Sequence, residues 1–275
     1  MKLYRHLPNA ITCGNLFCGV LAIIKTMEGN LIWAAYLVGI AAVLDFFDGF
    51  AARMLKVSSP IGKDLDSLAD MVTFGVVPAL VMYKLIELSD VINFAHQLRG
   101  PGSPDSFHKN SWIKFIGLGI AIFSCLRLAK FNNDPRQSDS FIGVPTPANT
   151  ILICGFILVI DRLGLDLSNI QQMFTLSEGF TQNGNMTGQI TMFLLSSPWL
   201  MAGISVLLSL LLVSEIPLLA LKFKNFGWAD NKVRFVFLGL CAFLLALLQT
   251  TAIPLLIVLY LFVSIVNNIF LKPRV

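Results

Sequence analysis

Five aspartates lie within residues 44–75, "LDFFDGFAARMLKVSSPIGKDLDSLADMVTFG": Asp45, Asp48, Asp64, Asp66 and Asp70. Asp45 and Asp48 are three residues apart and Asp66 and Asp70 four apart, so on helices each pair projects from one face, one turn above the other. Two such helices packed side by side would bring four carboxylates to one point. Like charges crowded in this way repel and require a cationic partner, and hard oxygen ligands from two helices suit one or two Mg²⁺ or Mn²⁺ ions. A lone aspartate at a helix end is ordinarily a solvated cap, and Asp64, at the expected start of the third helix, is read that way.

The residues between the carboxylates extend the chemistry. Gly49 follows Asp48 directly and Ala52 comes one turn later, leaving a helix face that a ligand or neighbouring backbone can approach closely. Arg53 offers a planar fork suited to a phosphate oxygen. In "KVSSPIG", Pro60 and Gly62 separate two helices while Ser58 and Ser59 supply hydroxyls. Together these describe a pocket for a metal-bound diphosphate at a membrane surface.

The elements that must position these groups are apolar. Of 275 residues, 56% are hydrophobic and 13% charged, against about 25% charged in an average soluble domain. The composition excludes an ordinary soluble domain and predicts an all-α, polytopic integral membrane bundle. Eight spans are expected, near 9–28, 31–55, 65–88, 113–131, 144–161, 197–215, 233–249 and 252–271, the last two forming a tight hairpin through Pro254. Polar stretches 89–112 and 162–196 read as outer loops. The basic start and apolar run of "MKLYRHLPNAITCGNLFCGVLAII" resemble a signal peptide, but no small-residue cleavage site follows, so it is read as the first helix.

Most Lys and Arg residues then fall on one side, Arg53, Lys56, Lys63, Arg127 and Lys130 among them, against Lys25, Lys84, Arg99, Lys109, Lys114 and Arg162 on the other. This bias predicts both termini inside, an inner-membrane location and carboxylates facing the cytoplasm. The five cysteines lack metal-like spacing and read as small buried hydrophobes. His6, His96 and His108 read as solvated, and no nucleic-acid partner is expected.

The pattern Asp45-x2-Asp48-Gly49-x2-Ala52-Arg53-x8-Gly62-x3-Asp66-x3-Asp70 resembles the signature of the CDP-alcohol phosphotransferases. Members of that family transfer a phosphatidyl or similar group from a CDP-linked lipid to an alcohol, releasing CMP. The resemblance implies that Asp45, Asp48, Asp66 and Asp70 bind two divalent ions, Mg²⁺ or Mn²⁺, and that Asp70 also serves as base. It implies that Gly49, Arg53 and Ser59 contact the CDP portion of CDP-diacylglycerol, with Asn9 and Thr12 closing over the nucleotide. The remaining organisation would be a six-helix core over 1–225 and two added helices over 226–275, in contact with membrane lipids, with a homodimer left open as the assembly.

"LDSLADMVTFGVVPA", "LRLAKFN", "GVPTPAN" and "SEIP" further resemble the type II phosphatidylserine synthase branch, which implies L-serine as acceptor. The carboxylate of serine needs an anion site; Arg127, with Asn132 and Lys130, is the candidate, although cations at that helix end also satisfy topology. Pro145 and Pro147 flank Thr146, where acceptor contact and helix initiation are equally open. Glu215 of "SEIP" is expected to pair with a cation such as Arg127. Glycerol 3-phosphate or inositol as acceptor remains open, as does, more remotely, a cation transporter, which would spread its acidic residues through the membrane depth.

Overall fold

The structure, a computed structural model, describes residues 6–57, 59–99, 112–134, 141–167, 169–218 and 228–270. Ser58, His108 and the basic residues Lys2, Arg5, Lys109, Arg136, Lys222, Lys224, Lys272 and Arg274 lie outside them. So does the boundary near 225, while His96, Arg99, Lys232 and Arg234 are described in backbone only.

Helix α1 (Leu7–Met27) buries Thr12, Asn15, Gly19, Ala22 and Thr26, a stripe of small residues at alternating spacings of three and four that lets neighbouring helices come close. Helix α2 (Leu31–Leu55) is capped by Asn30, whose side chain accepts from the Trp33 N–H at 3.2 Å, and it ends at Lys56 in a left-handed conformation. Helix α3 (Pro60–Asp70) begins with proline at its first position, where the missing N–H has no cost. Its cap is Ser59, whose Oγ accepts from the Gly62 N–H at 3.0 Å. The helix thus starts five residues before the expected position, because Ser59–Pro60 is a complete initiation signal. Asp64 is an exposed residue in its second turn and not its cap.

After Asp70 the same rod passes through a π-helical turn, Met71–Val76, into α4 (Val77–Arg99). Phe74, Val77, Val81, Leu85, Ile86 and Ile92 are all buried along it, making it the central post of the bundle. The closest approach is at its π turn, where a Cβ on Gly19 of α1 would come within 2.3 Å of Thr73 Oγ1. Around this post stand a 3₁₀ turn (Ile113–Leu118) leading into α5 (Gly119–Asn133), then α6 (Thr146–Arg162) and α9 (Pro198–Val213). Lys84 and Lys114 both pair with Glu87. At about 1.5 Å of rise per residue, this cluster lies some 25 Å along the rod from Asp70.

Three expectations about connections are corrected. Residues 89–99 continue α4 instead of forming a loop. The stretch 162–196 holds two helices, α7 (Ile170–Gln182) and α8 (Met186–Leu195). Asn169 caps α7 by accepting from Gln172 N–H at 3.1 Å, Asn185 caps α8 by accepting from Gly188 N–H at 3.1 Å, and Met173, Leu176 and Phe180 turn one face of α7 to the core. The Asn and Gly content that resembled a loop is capping chemistry. Finally, α10 (Trp228–Leu248) and α11 (Ala252–Phe270) form a hairpin that turns at Gln249–Thr251, with Gln249 at φ 52°, and not at Pro254. Phe237 and Tyr260 meet across it with ring centroids 5.9 Å apart.

The hairpin docks on α6. Arg162 Nη1 donates to Leu248 O at 3.0 Å and to Gln249 Oε1 at 2.9 Å. A Cβ on Gly155 would come within 2.9 Å of Ile253 Cγ2. A short antiparallel pair joins β1 (Phe141–Ile142) to β2 (Pro217–Leu218), Phe141 opposite Leu218 and Ile142 opposite Pro217.

All eight expected spans fall on helices. Leu7–Met27, Leu31–Leu55, Pro60–Phe94 and the Phe235–Val266 stretch are each long and apolar enough to cross a membrane, and α8 and α9, which meet at 91°, are so only when taken together. The chain is an all-α integral membrane protein. Because Gly19 sits against Thr73, Gly19→Val should destabilise the extracted protein by about 1–3 kcal/mol through overpacking. Gly39→Val, at a position with nothing within 4 Å, should leave the thermal unfolding midpoint close to that of the unaltered protein.

Candidate active site

Asp45 and Asp48 lie on α2 and Asp66 and Asp70 on α3. Oxygens of Asp45, Asp48 and Asp66 all lie within 4.8 Å of one another. The Asp70 carboxyl meets that of Asp45 from the other side, and its Oδ1 is buried with no hydrogen-bond partner among the described residues. Helix α1 supplies the third wall: Thr12 Oγ1 lies 2.7 Å from Asp48 Oδ2 and 3.0 Å from Pro8 O. An all-carboxylate donor set with an unpaired buried oxygen is what a hard divalent cation takes as ligands, so these residues fit one.

The flanking residues gather at the same end. A Cβ on Gly62 would come within 3.0 Å of Ser59 Oγ and 3.1 Å of Asn9 Oδ1, so Asn9 of α1 and Ser59 meet over the start of α3. The exposed Arg53 folds its guanidinium back over Gly49, at 3.8 Å from where a Cβ would stand. Thr12 is 4% exposed and its hydroxyl lies against the Asp48 carboxylate, a contact the sequence did not show.

Arg127 on α5 is buried, with Nε donating to Val144 O at 3.1 Å, its guanidinium over the Phe131 ring at 5.0 Å, and its charge interacting with that of Asp70. Glu215 is exposed and makes no ion pair with Arg127, whose Nε goes to a backbone carbonyl. Asn132 Nδ2 donates to Ser67 Oγ at 2.9 Å, tying the end of α5 to the turn between Asp66 and Asp70. Lys130 is exposed. Thr146 and Pro147 open α6, with Pro145 preceding it, as helix initiation requires.

Sequence reasoning missed the π turn. Such turns carry one residue too many for regular pairing and occur often at functional sites. Here Thr73 Oγ1 reaches Asn15 O at 3.4 Å, Thr150 Oγ1 donates to Phe74 O at 2.9 Å, and a Cβ on Gly75 would meet Ser124 Cβ at 3.2 Å. Polar residues from α1, α6 and α5 therefore ring the turn that follows Asp70. Asn15, Thr150 and Ser124 looked like isolated polar residues in apolar runs, and that isolation was the available signal.

Residues 5–183 match the family described as CDP-alcohol phosphatidyltransferase, and the chain belongs to this family of membrane phosphotransferases. It is similar to CDP-diacylglycerol–serine O-phosphatidyltransferase of Bacillus subtilis, 36% identical over 146 residues, 52% of this chain and 70% of the relative. The enzyme of the same description from Helicobacter pylori is 31% identical over 173 residues, 61% of this chain and 63% of the relative. An archaetidylserine synthase of Methanothermobacter thermautotrophicus is 28% identical over 155 residues, 55% of this chain and 58% of the relative.

With a divalent ion on Asp48, Thr12 would support that carboxylate through its hydroxyl, and loss of such a contact typically weakens metal affinity by about 10–100-fold. Thr12→Val should raise the Mn²⁺ or Mg²⁺ concentration for half-maximal activity by about tenfold, with most activity returning at saturating metal; a divalent titration of the purified variant measures this.

Proposed function

We propose that the chain transfers the phosphatidyl group of CDP-diacylglycerol to the hydroxyl of L-serine, giving phosphatidylserine and CMP. The observation that carries this reading is the convergence of Asp45, Asp48, Asp66 and Asp70 at one seam between α2 and α3. The names of the relatives supply the acceptor. In the reaction a bond forms between serine Oγ and the lipid-bearing phosphorus, the bond from that phosphorus to the CMP oxygen breaks, and CMP leaves with the electron pair.

Two divalent ions, Mg²⁺ or Mn²⁺, held by the four aspartates would neutralise the diphosphate and stabilise charge on the departing CMP. Asp70 accepts the serine hydroxyl proton; its unpaired Oδ1 is the acceptor atom suited to this. Arg53 binds a phosphate oxygen, Gly49 leaves room for the diphosphate, and Asn9 and Ser59 face the nucleotide. Arg127 takes the serine carboxylate, since its Nη2 is buried without a hydrogen-bond partner among the described residues. Asn132 positions the turn beside Asp66 through Ser67.

An apolar groove of about 380 Å³ between α2 and α6, lined by Ala35, Tyr36, Gly39, Ile40, Val43, Leu44 and Leu158, suits an acyl chain of the donor. Residues 1–225 would form the catalytic core and 226–275 an added hairpin. The charge bias of the sequence favours an inner-membrane protein with both termini and the aspartates on the cytoplasmic side.

Membranes containing the protein, supplied with CDP-diacylglycerol, Mn²⁺ or Mg²⁺ and each labelled alcohol in turn, test the reading. Label should enter lipid from serine; entry only from glycerol 3-phosphate or inositol would refute the acceptor assignment. Asp70→Asn should lower transfer at least about 10³-fold while the protein still extracts as a folded species. Near-normal transfer in that variant would place the base elsewhere.

A further inference from the structure

Arg127 is anchored by a backbone carbonyl. Its Nε–H ends on the carbonyl of Val144, in the segment between β1 and α6. That segment is fastened to the C-terminal end of α9 and the residues after it by backbone hydrogen bonds. Gly143 N–H donates to Ile216 O at 2.9 Å and Val144 N–H to Leu211 O at 3.1 Å, while Phe141 and Ile142 pair with Leu218 and Pro217. Gly143 adopts φ +76°, and a Cβ there would stand 2.7 Å from Leu212 O and 2.8 Å from Ser214 O. Both neighbours are backbone atoms, so any side chain at 143 must displace the strap or the end of α9.

The consequence falls on the guanidinium. Arginine presents five N–H groups in one plane, and anchoring Nε sets the rotation of that plane. The Phe131 ring fixes one face of it. What remains is the Nη edge, where Nη2 is buried with no partner among the described residues. A fixed plane with a free donor edge is the geometry that binds a carboxylate in two parallel hydrogen bonds, and small displacements of such a clamp lose binding sharply.

We propose that the Gly143–Val144 strap, pinned to Leu211, Ile216 and β2, positions Arg127 and so sets affinity for the carboxylate of the acceptor amino acid. Gly143 is then a positioning residue acting through Arg127, and "GVPTPAN" and "SEIP" are two halves of one clasp. This rests on the reading of serine as acceptor.

The test uses the full chain in lipid–detergent micelles with CDP-diacylglycerol, a divalent ion and labelled serine. Gly143→Ala should raise the KM for serine about tenfold, with the KM for CDP-diacylglycerol and the divalent requirement unchanged. Arg127→Lys keeps the charge and loses the Nε bond; on that background Gly143→Ala should add less than about twofold. An equal rise on both backgrounds, an equal rise in both KM values, or an unchanged KM for serine would overturn the proposal. Should Gly143→Ala fail to fold, Leu218→Ala loosens the clasp from its other strand and should raise the same KM by a smaller factor; no rise there overturns it equally. An unaltered protein that takes no serine at all refutes the acceptor reading itself, an outcome distinct from variants that use serine with unshifted KM.

Discussion

Mutual repulsion of four carboxylates at the edge of a hydrocarbon layer is the constraint around which the bundle is arranged. Among Asp45, Asp48 and Asp66, whose oxygens lie within 4.8 Å of one another, each pair of charges repels by roughly 3–4 kcal/mol at an effective dielectric of about 20. Nothing in the packing of apolar helices offsets that; a divalent cation does. The helices around the site therefore hold the oxygens together against their own charge, and the tight contacts cluster where that hold is needed. Gly19 lets α1 press on Thr73, Thr12 fixes Asp48, and Asn132 ties α5 to Ser67.

The central rod joins this charge to the acceptor side. Asp70 ends α3 and the π turn follows at once, so the carboxyl read as base sits beside a local irregularity bonded to the Asn15 carbonyl of α1 and the Thr150 hydroxyl of α6 and packed against Ser124 of α5. Arg127 approaches Asp70 from α5, while its own orientation is set from α9 through the strap. One end of the bundle thus carries opposite charges on separately anchored elements. Far along the rod Glu87 pairs with both Lys84 and Lys114, whereas the aspartates of α2 and α3 gather at one end of it.

The gathering of the aspartates was legible in the sequence because spacings of three and four residues fix which side chains share a helix face, whatever surrounds the helix. The apolar spans were legible for the same reason. What the sequence concealed depends on partners distant along the chain. Nothing local to Thr12 shows that its hydroxyl will find Asp48, 36 residues away. Glu215 read as a partner for Arg127 because charge suggests pairing, whereas a backbone carbonyl had taken the Nε–H. Helices α7 and α8 read as loop because Asn caps and turn-formers are the same residues. The π turn leaves no mark in hydrophobic periodicity over so short a run.

The central claim is that the four aspartates of α2 and α3 form one divalent-ion centre on which phosphatidyl transfer depends. Anomalous diffraction at the manganese edge, on crystals of the full chain grown with Mn²⁺ and CDP-diacylglycerol, tests it most directly. The account predicts manganese peaks within coordination distance of Asp45, Asp48, Asp66 and Asp70, bridging to the diphosphate. Manganese bound elsewhere, or a diphosphate seated away from these four residues, would contradict it.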